Sequence, residues 1–120
     1  MGFTPLFRDE VIAEIGAIPA RVGGGALLIN PAGEIVLSNR DVTLEGAHVA
    51  RTNAPRARLW IGGTASIALE HGWVHLIAVC DGWVLAVQTF VGPEVADLAV
   101  ELRRSRNRLA VFLGYTQPPL

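Results

Sequence analysis

Lysine is absent from this chain: all ten basic residues are arginine, set against eleven acids for a formal charge of -1. That balance removes the basic footprint a nucleic-acid binder needs, so no nucleic-acid partner is expected. Cysteine is nearly absent. Cys80 stands alone, which excludes an internal disulfide framework and points to a reducing, cytoplasmic setting. Long apolar runs are missing too; none approaches the ~18–20 uncharged residues of a membrane helix, so no membrane insertion is expected. Met1-Gly2-Phe3-Thr4-Pro5 has no basic segment leading into an apolar one, the pattern of a secretory signal. A myristoylation pattern fails at Leu6, where Ser or Thr is required. Charge is scarce, at 18% of residues, while 51% are apolar and the mean hydropathy is +0.39. A disordered chain has the opposite balance. The apolar excess suggests a subunit interface, since obligate interfaces resemble a core cut in half.

No repeat, linker or low-complexity block divides the 120 residues, which predicts one domain over 1–114 and a flexible tail over 115–120. Leu6, Val11, Ile12, Ile15 and Ile18 recur at helical spacing, and Pro19 is expected to end that helix. Ala26 to Asn30 and Glu34 to Ser38 read as strands joined by the turn Pro31-Ala32-Gly33. Thr64 to Glu70, Trp73 to Cys80 and Trp83 to Val91 form a predicted antiparallel meander, turning at His71-Gly72 and Asp81-Gly82. Trp73 and Trp83 are expected to meet across that hairpin. The last helix opens at Gly92-Pro93, carries its acids first and its arginines later, and presents Val95, Leu98, Ala99, Leu102, Leu109, Phe112 and Leu113 as one stripe. Between the two groups of strands, Thr43 to Asn53 reads as a short or broken helix weakened by Gly46 and stopped or kinked by Pro55.

Reactive chemistry is thin. His71, His75 and Cys80 lack the four converging ligands of a structural zinc site, and no metal or other cofactor is expected. Ser38, His48 and Asp81 have no nucleophile elbow around them, so no catalytic residue is assigned and the chain is not expected to be an enzyme. Gly23-Gly24-Gly25 precedes a strand, whereas a phosphate loop opens a helix.

The order helix, two strands, helix, three strands, helix resembles the Roadblock family, which includes dynein light chains and bacterial Mgl-type GTPase regulators. The resemblance rests on Gly25-Ala26-Leu27-Leu28-Ile29 with Gly33-Glu34-Ile35-Val36, on Trp83-Val84-Leu85-Ala86-Val87, and on Leu98-Ala99-Val100-Glu101-Leu102-Arg103-Arg104. It covers about Val11 to Leu113 and depends on order, length and spacing rather than on a signature motif. It implies an α+β, profilin-like fold: a five-stranded antiparallel sheet, two helices on one face and the short or broken helix on the other. It also implies a homodimer formed through the middle helix and the following strand, with Ile67 and Leu69 on the dimer edge. The implied partner is a small Ras-like GTPase or a second Roadblock protein, in bacterial signalling or cell polarity.

On that reading the candidate partner-binding residues are Leu44, His48, Arg51, Arg58, Trp60 and Ile61. Arginine and tryptophan are enriched at binding hot spots. Arg51, Arg56 and Arg58 admit two other readings, a solvated loop with Trp60 in the core, or a finger on bound nucleotide. A different class of function, a small-ligand sensor of PAS or GAF type, shares the mixed helix-and-sheet layout and would need an apolar internal pocket.

Overall fold

The computed structural model describes residues 8–22, 24–39, 41–60, 63–90 and 96–114. The helices are α1 (Arg8–Val22), α2 (Leu44–Leu59) and α3 (Ala96–Gly114); the strands are β1 (Gly25–Ile29), β2 (Ile35–Ser38), β3 (Thr64–Leu69), β4 (Gly72–Ala78) and β5 (Val84–Thr89). All strand pairs are antiparallel, in the spatial order β2-β1-β5-β4-β3. The expected α+β architecture is present, with β3 and β2 as the edges. The opening of the last helix expected at Gly92-Pro93 and the tail after Gly114 lie outside the described residues.

The central strands are apolar on both faces, and this dictates the three layers. Ala26, Leu28, Ile77, Leu85 and Val87 point to one face, where Val11, Ile15 and Ile18 of α1 and Leu98, Leu102, Leu109 and Leu113 of α3 close over them. Leu27, Ile29, Val74, Leu76, Val84 and Ala86 point to the other, beneath Ala50, Ala54 and Ala57 of α2. Each large aliphatic side chain so buried contributes roughly 1.5–3 kcal/mol relative to exposure. The Asp81-Gly82 signal holds: Asp81 (φ 45°) and Gly82 (φ 89°) both occupy the left-handed region that a type I′ turn requires. The other turn of the meander, expected at His71-Gly72, lies one residue earlier at Glu70-His71, with Gly72 already in β4 and paired with Leu69. Asparagines fasten both ends of the β1–β2 hairpin. Asn30 Oδ1 accepts from the Glu34 N–H at 2.9 Å, and Asn39 Oδ1 accepts from the Ala26 N–H at 2.7 Å.

Other expectations need correction. Helix α1 continues through Pro19 to Val22. Helix α2 is neither short nor broken but runs unbroken for 16 residues with Pro55 inside it. Pro55 removes the donor that would bond the Arg51 carbonyl, yet both residues lie on the exposed side, where solvent can satisfy that carbonyl. Gly46, read as a weakness, makes room for the Gln88 amide, which a β-carbon there would displace. Trp73 pairs with Thr89 at one end of the β4–β5 hairpin, while Trp83 sits at the turn at the other, so the two indoles do not meet. The arginines of α3 also lie mid-helix rather than in its last turn, where a dipole argument would place them. They act through contacts instead: Arg104 pairs with Glu101 at 2.9 Å, and Arg108 reaches buried Glu14 of α1 at 3.6 Å.

The small-residue face of α2 and its solvent-facing proline make opposite predictions for adjacent positions. Ala54→Leu overpacks the α2–sheet contact and should lower the unfolding free energy by about 1–3 kcal/mol. Pro55→Ala restores a helical donor and should raise it by about 1–3 kcal/mol. Urea denaturation measures both, and a destabilised Pro55→Ala would contradict this account of the helix.

Candidate functional site

The surface of α2 follows from what its inner face must be. To lie close on the sheet it turns Gly46, Ala50, Ala54 and Ala57 inward. Its larger side chains are consequently displaced outward. Leu44, His48, Arg51, Pro55 and Leu59 recur at intervals of three or four and form one exposed stripe, about 22 Å long at 1.5 Å per residue. Both ends of the stripe are bare leucines, Leu44 at 91% exposed and Leu59 at 87%. Trp60, the C-cap residue, adds an indole that is 58% exposed beside Leu59. Arg51 and Arg56 are exposed on the helix, with Glu45 its one acid.

The N-terminus of α2 is built with care. Thr43 Oγ1 accepts the Gly46 N–H at 3.0 Å, an N-cap worth about 1 kcal/mol. The Gln88 amide from β5 then grips Thr43 twice, accepting from its N–H at 2.9 Å and donating to Oγ1 at 3.0 Å. Leu44 is therefore presented from a fixed start of helix.

The predicted residues separate. Leu44, His48 and Arg51 share the outer stripe, and Trp60 follows it. Arg58 does not join them. It is half-buried, turned toward the end of the sheet, and donates from Nε to the Gly82 carbonyl and from Nη2 to the Asn30 carbonyl, both at 2.8 Å. Those bonds tie α2 to the β4–β5 and β1–β2 turns. Ile61 lies outside the described residues. Ile67 and Leu69 sit on β3, half-buried on the α2 face, and the outer side of β3 has no strand neighbour among the described residues. Leu59 is the residue that sequence reasoning missed. Its signal was available as the fifth member of the spacing that begins at Leu44, and assuming a break at Pro55 concealed it.

The histidine that sequence weighed as a cross-strand polar contact proves to be one, with partners that sequence did not name. His75 is buried in β4, with Nδ1 2.8 Å from Ser66 Oγ of β3 and Nε2 3.0 Å from Thr89 Oγ1 of β5, and its ring stacks on Trp73 at 6.4 Å. Both ring nitrogens are thus engaged by hydroxyls, an arrangement that binds three strands together rather than one that ligates a metal. No group of three or more His, Cys, Asp or Glu side chains suited to a metal occurs among the described residues. Burial, reinforced by the charge of Asp81, pushes the Cys80 thiol above its usual range, against an opposing pull from Arg106. No helix among the described residues is long and apolar enough to cross a membrane.

Comparison with known proteins places this geometry. No family model and no curated protein sequence matches the chain. Solved structures do match. MglB of Myxococcus xanthus superposes over 100% of both chains with a TM-score of 0.73 at 10% identity. A structure described as MglB with tetrameric arrangement gives 0.70 at 13% identity, covering 95% of this chain and 97% of that one. The Roadblock/LC7 domain of Streptomyces avermitilis gives 0.62 at 20% identity, covering 82% of this chain and 96% of the other. The fold is that of Roadblock/LC7 domains, and the PAS or GAF alternative is not favoured.

The contrast between Arg51 and Arg58 is measurable. Arg58→Ala strips charged donors from two turn carbonyls and should cost about 1–3 kcal/mol of stability. Arg51→Ala, on the exposed stripe, should change it by less than about 0.5 kcal/mol. Thermal or denaturant unfolding of the two variants checks the assignment, and equal effects would refute it.

Proposed function

We propose that this chain is a non-catalytic, self-associating adaptor or regulator in a small Ras-like GTPase pathway, engaging the GTPase or a second Roadblock protein. The observation that carries the reading is the outer stripe of α2, with two nearly bare leucines and a neighbouring tryptophan, on a helix anchored at its start by Gln88 and near its end by Arg58. Isolated apolar side chains on a surface are ordinary, but Leu44 and Leu59 are aligned on one helix and interleaved with His48 and Arg51, with Trp60 following at its C-cap. Aromatic, aliphatic and arginine side chains of this kind form the centres of protein interfaces. The excess of arginine over acid on α2 suits a partner surface of acidic character.

Self-association is assigned to β3 and the adjoining flank of α2. An unpaired strand edge is a template for another strand, and Ile67 and Leu69 are half-buried beside it on the α2 face. One fold neighbour, described as having a tetrameric arrangement, supports assembly as a property of this architecture. Pairing of two β3 edges would align two α2 helices side by side and double the binding stripe. The mechanism is differential binding. A dimer that prefers one switch-loop arrangement of the GTPase shifts the population toward it, by no more than its preference for that state.

Two variants separate the functions. The wild-type chain should scatter light as a dimer at micromolar concentration, and Ile67→Asp should convert it to a folded monomer. Leu44→Asp with Leu59→Asp should leave the dimer intact and weaken binding of a GTP-analogue-loaded Ras-like GTPase from the same organism at least about tenfold, the cost of 1.4 kcal/mol. A wild-type monomer that captures no such GTPase in either nucleotide state would overturn the proposal.

A further inference from the structure

At the tip of the β4–β5 hairpin, remote from the apolar start of the α2 stripe, lies a cleft of about 340 Å³ lined by Arg58, Arg106, Asp81, Cys80 and Trp83, together with Ala78, Val79 and Gly82. Its size falls at the lower end of the roughly 300–1,000 Å³ of small-molecule sites. The two arginines come from opposite faces of the sheet, Arg58 from α2 and Arg106 from α3. Each is anchored to backbone: Arg58 through Nε and Nη2 to Gly82 and Asn30, and Arg106 through Nε to the Ala78 carbonyl at 3.1 Å, with Nη1 on Asn107 Oδ1 at 2.9 Å. Neither forms a salt bridge with a carboxylate among the described residues, and each keeps one terminal nitrogen uncommitted in these bonds.

We infer that this cleft binds a small organic oxyanion, a carboxylate or phosphate carried on a flat apolar body, held between Arg58 and Arg106 with the body against Trp83. Two guanidiniums favour planar, bidentate oxyanions, and anchoring has already removed much of the side-chain freedom that binding would otherwise cost. Asp81, the single acid in the lining, leaves positive charge in excess. The apolar lining and the indole match an aromatic or similarly flat body rather than a bare ion. The inference stands apart from the α2 reading above, since it concerns a different surface.

Cys80 is the chain's sole thiol and lines the cleft, so it reports on the site directly. Alkylation by iodoacetate, an anion, is compared with alkylation by neutral iodoacetamide; the ratio of rates cancels any difference in thiolate fraction. Asp81 lies beside Cys80 and opposes Arg106 there, so the cation is read by difference: the iodoacetate-to-iodoacetamide ratio of the wild-type protein should exceed that of Arg106→Gln by about threefold or more, as one nearby cation would impose. Arg58→Gln is a second variant expected to lower the ratio, with unfolding curves verifying that both fold. Millimolar phenyl phosphate or benzoate should slow the iodoacetate reaction while benzamide at the same concentration and ionic strength does not. Protection by phenyl phosphate alone assigns the site to phosphate esters, and by benzoate alone to carboxylates. A rate ratio unchanged in both Arg106→Gln and Arg58→Gln, or protection by benzamide equal to that by the anions, would overturn the inference.

Discussion

Burial of the sheet on both faces is the constraint from which the rest of the molecule follows. Val84, Leu85, Ala86 and Val87 of β5 are all inaccessible in sequence, as are all five residues of β1. A strand of this kind has no solvent side, so it demands helical cover above and below. One cover is conventional: α1 and α3 meet the sheet with large aliphatic residues and are joined by the Arg108–Glu14 pair. The other is a single helix that approaches through glycine and alanine. Close approach by small residues brings the helix backbone itself against the sheet. It leaves no inward position for a leucine. The exposed stripe of α2 is in this sense the complement of its inner face, and the surface available to a partner is set by packing underneath it.

The same constraint decides which polar groups are internal. A sheet covered on both faces can admit polar side chains only where strands pair them, and the Ser66–His75–Thr89 row does this across β3, β4 and β5. Its position next to the edge strand has a physical logic. β3 has only one strand neighbour among the described residues, and side-chain bonds from His75 add to the backbone ladder that holds it. Gln88 plays the equivalent part on the opposite face, where it fixes the start of α2. These groups are anchors, and they hold the two elements on which the proposed function depends.

Much of this was legible in the sequence because the signals were local. Asp81-Gly82 specifies a two-residue turn whatever surrounds it, and Leu27-Leu28-Ile29 between turn residues can only be a buried strand. What was illegible depended on direction or register. Pro55 reads as a stop, and only the knowledge that Arg51 and Pro55 face water shows why the helix survives. Arg58 and Leu59 are neighbours with opposite fates: the arginine turns in to cap two turns, and the leucine turns out. Composition favours the reverse. His75 finds Ser66 and Thr89 only once strand register is known, since they lie 9 and 14 residues away. The pairing of Trp73 with Trp83 failed for a related reason, because residues that begin successive antiparallel strands lie at opposite ends of the hairpin.

Arg58 joins two surfaces that otherwise have little in common. It belongs to the last turn of α2, next to Leu59 and Trp60, yet its guanidinium is anchored by Nε and Nη2 to the carbonyls of Gly82, which lines the hairpin cleft, and Asn30. Occupancy of the cleft and occupancy of the α2 stripe are linked only to the extent that each favours a different placement of that turn. Where Arg58 keeps both carbonyls, the turn stays fixed and the two events are independent. Where an anion draws the guanidinium from even one of them, the tether that positions Leu59 and Trp60 loosens, and the cost is charged to the partner's affinity. The coupling must be reciprocal, so a partner that holds the end of α2 in place would resist release of the carbonyls by the same factor. If both proposed sites are used, a single side chain with two backbone anchors is therefore enough to couple them, and the strength of its hydrogen bonds sets the upper limit of the effect.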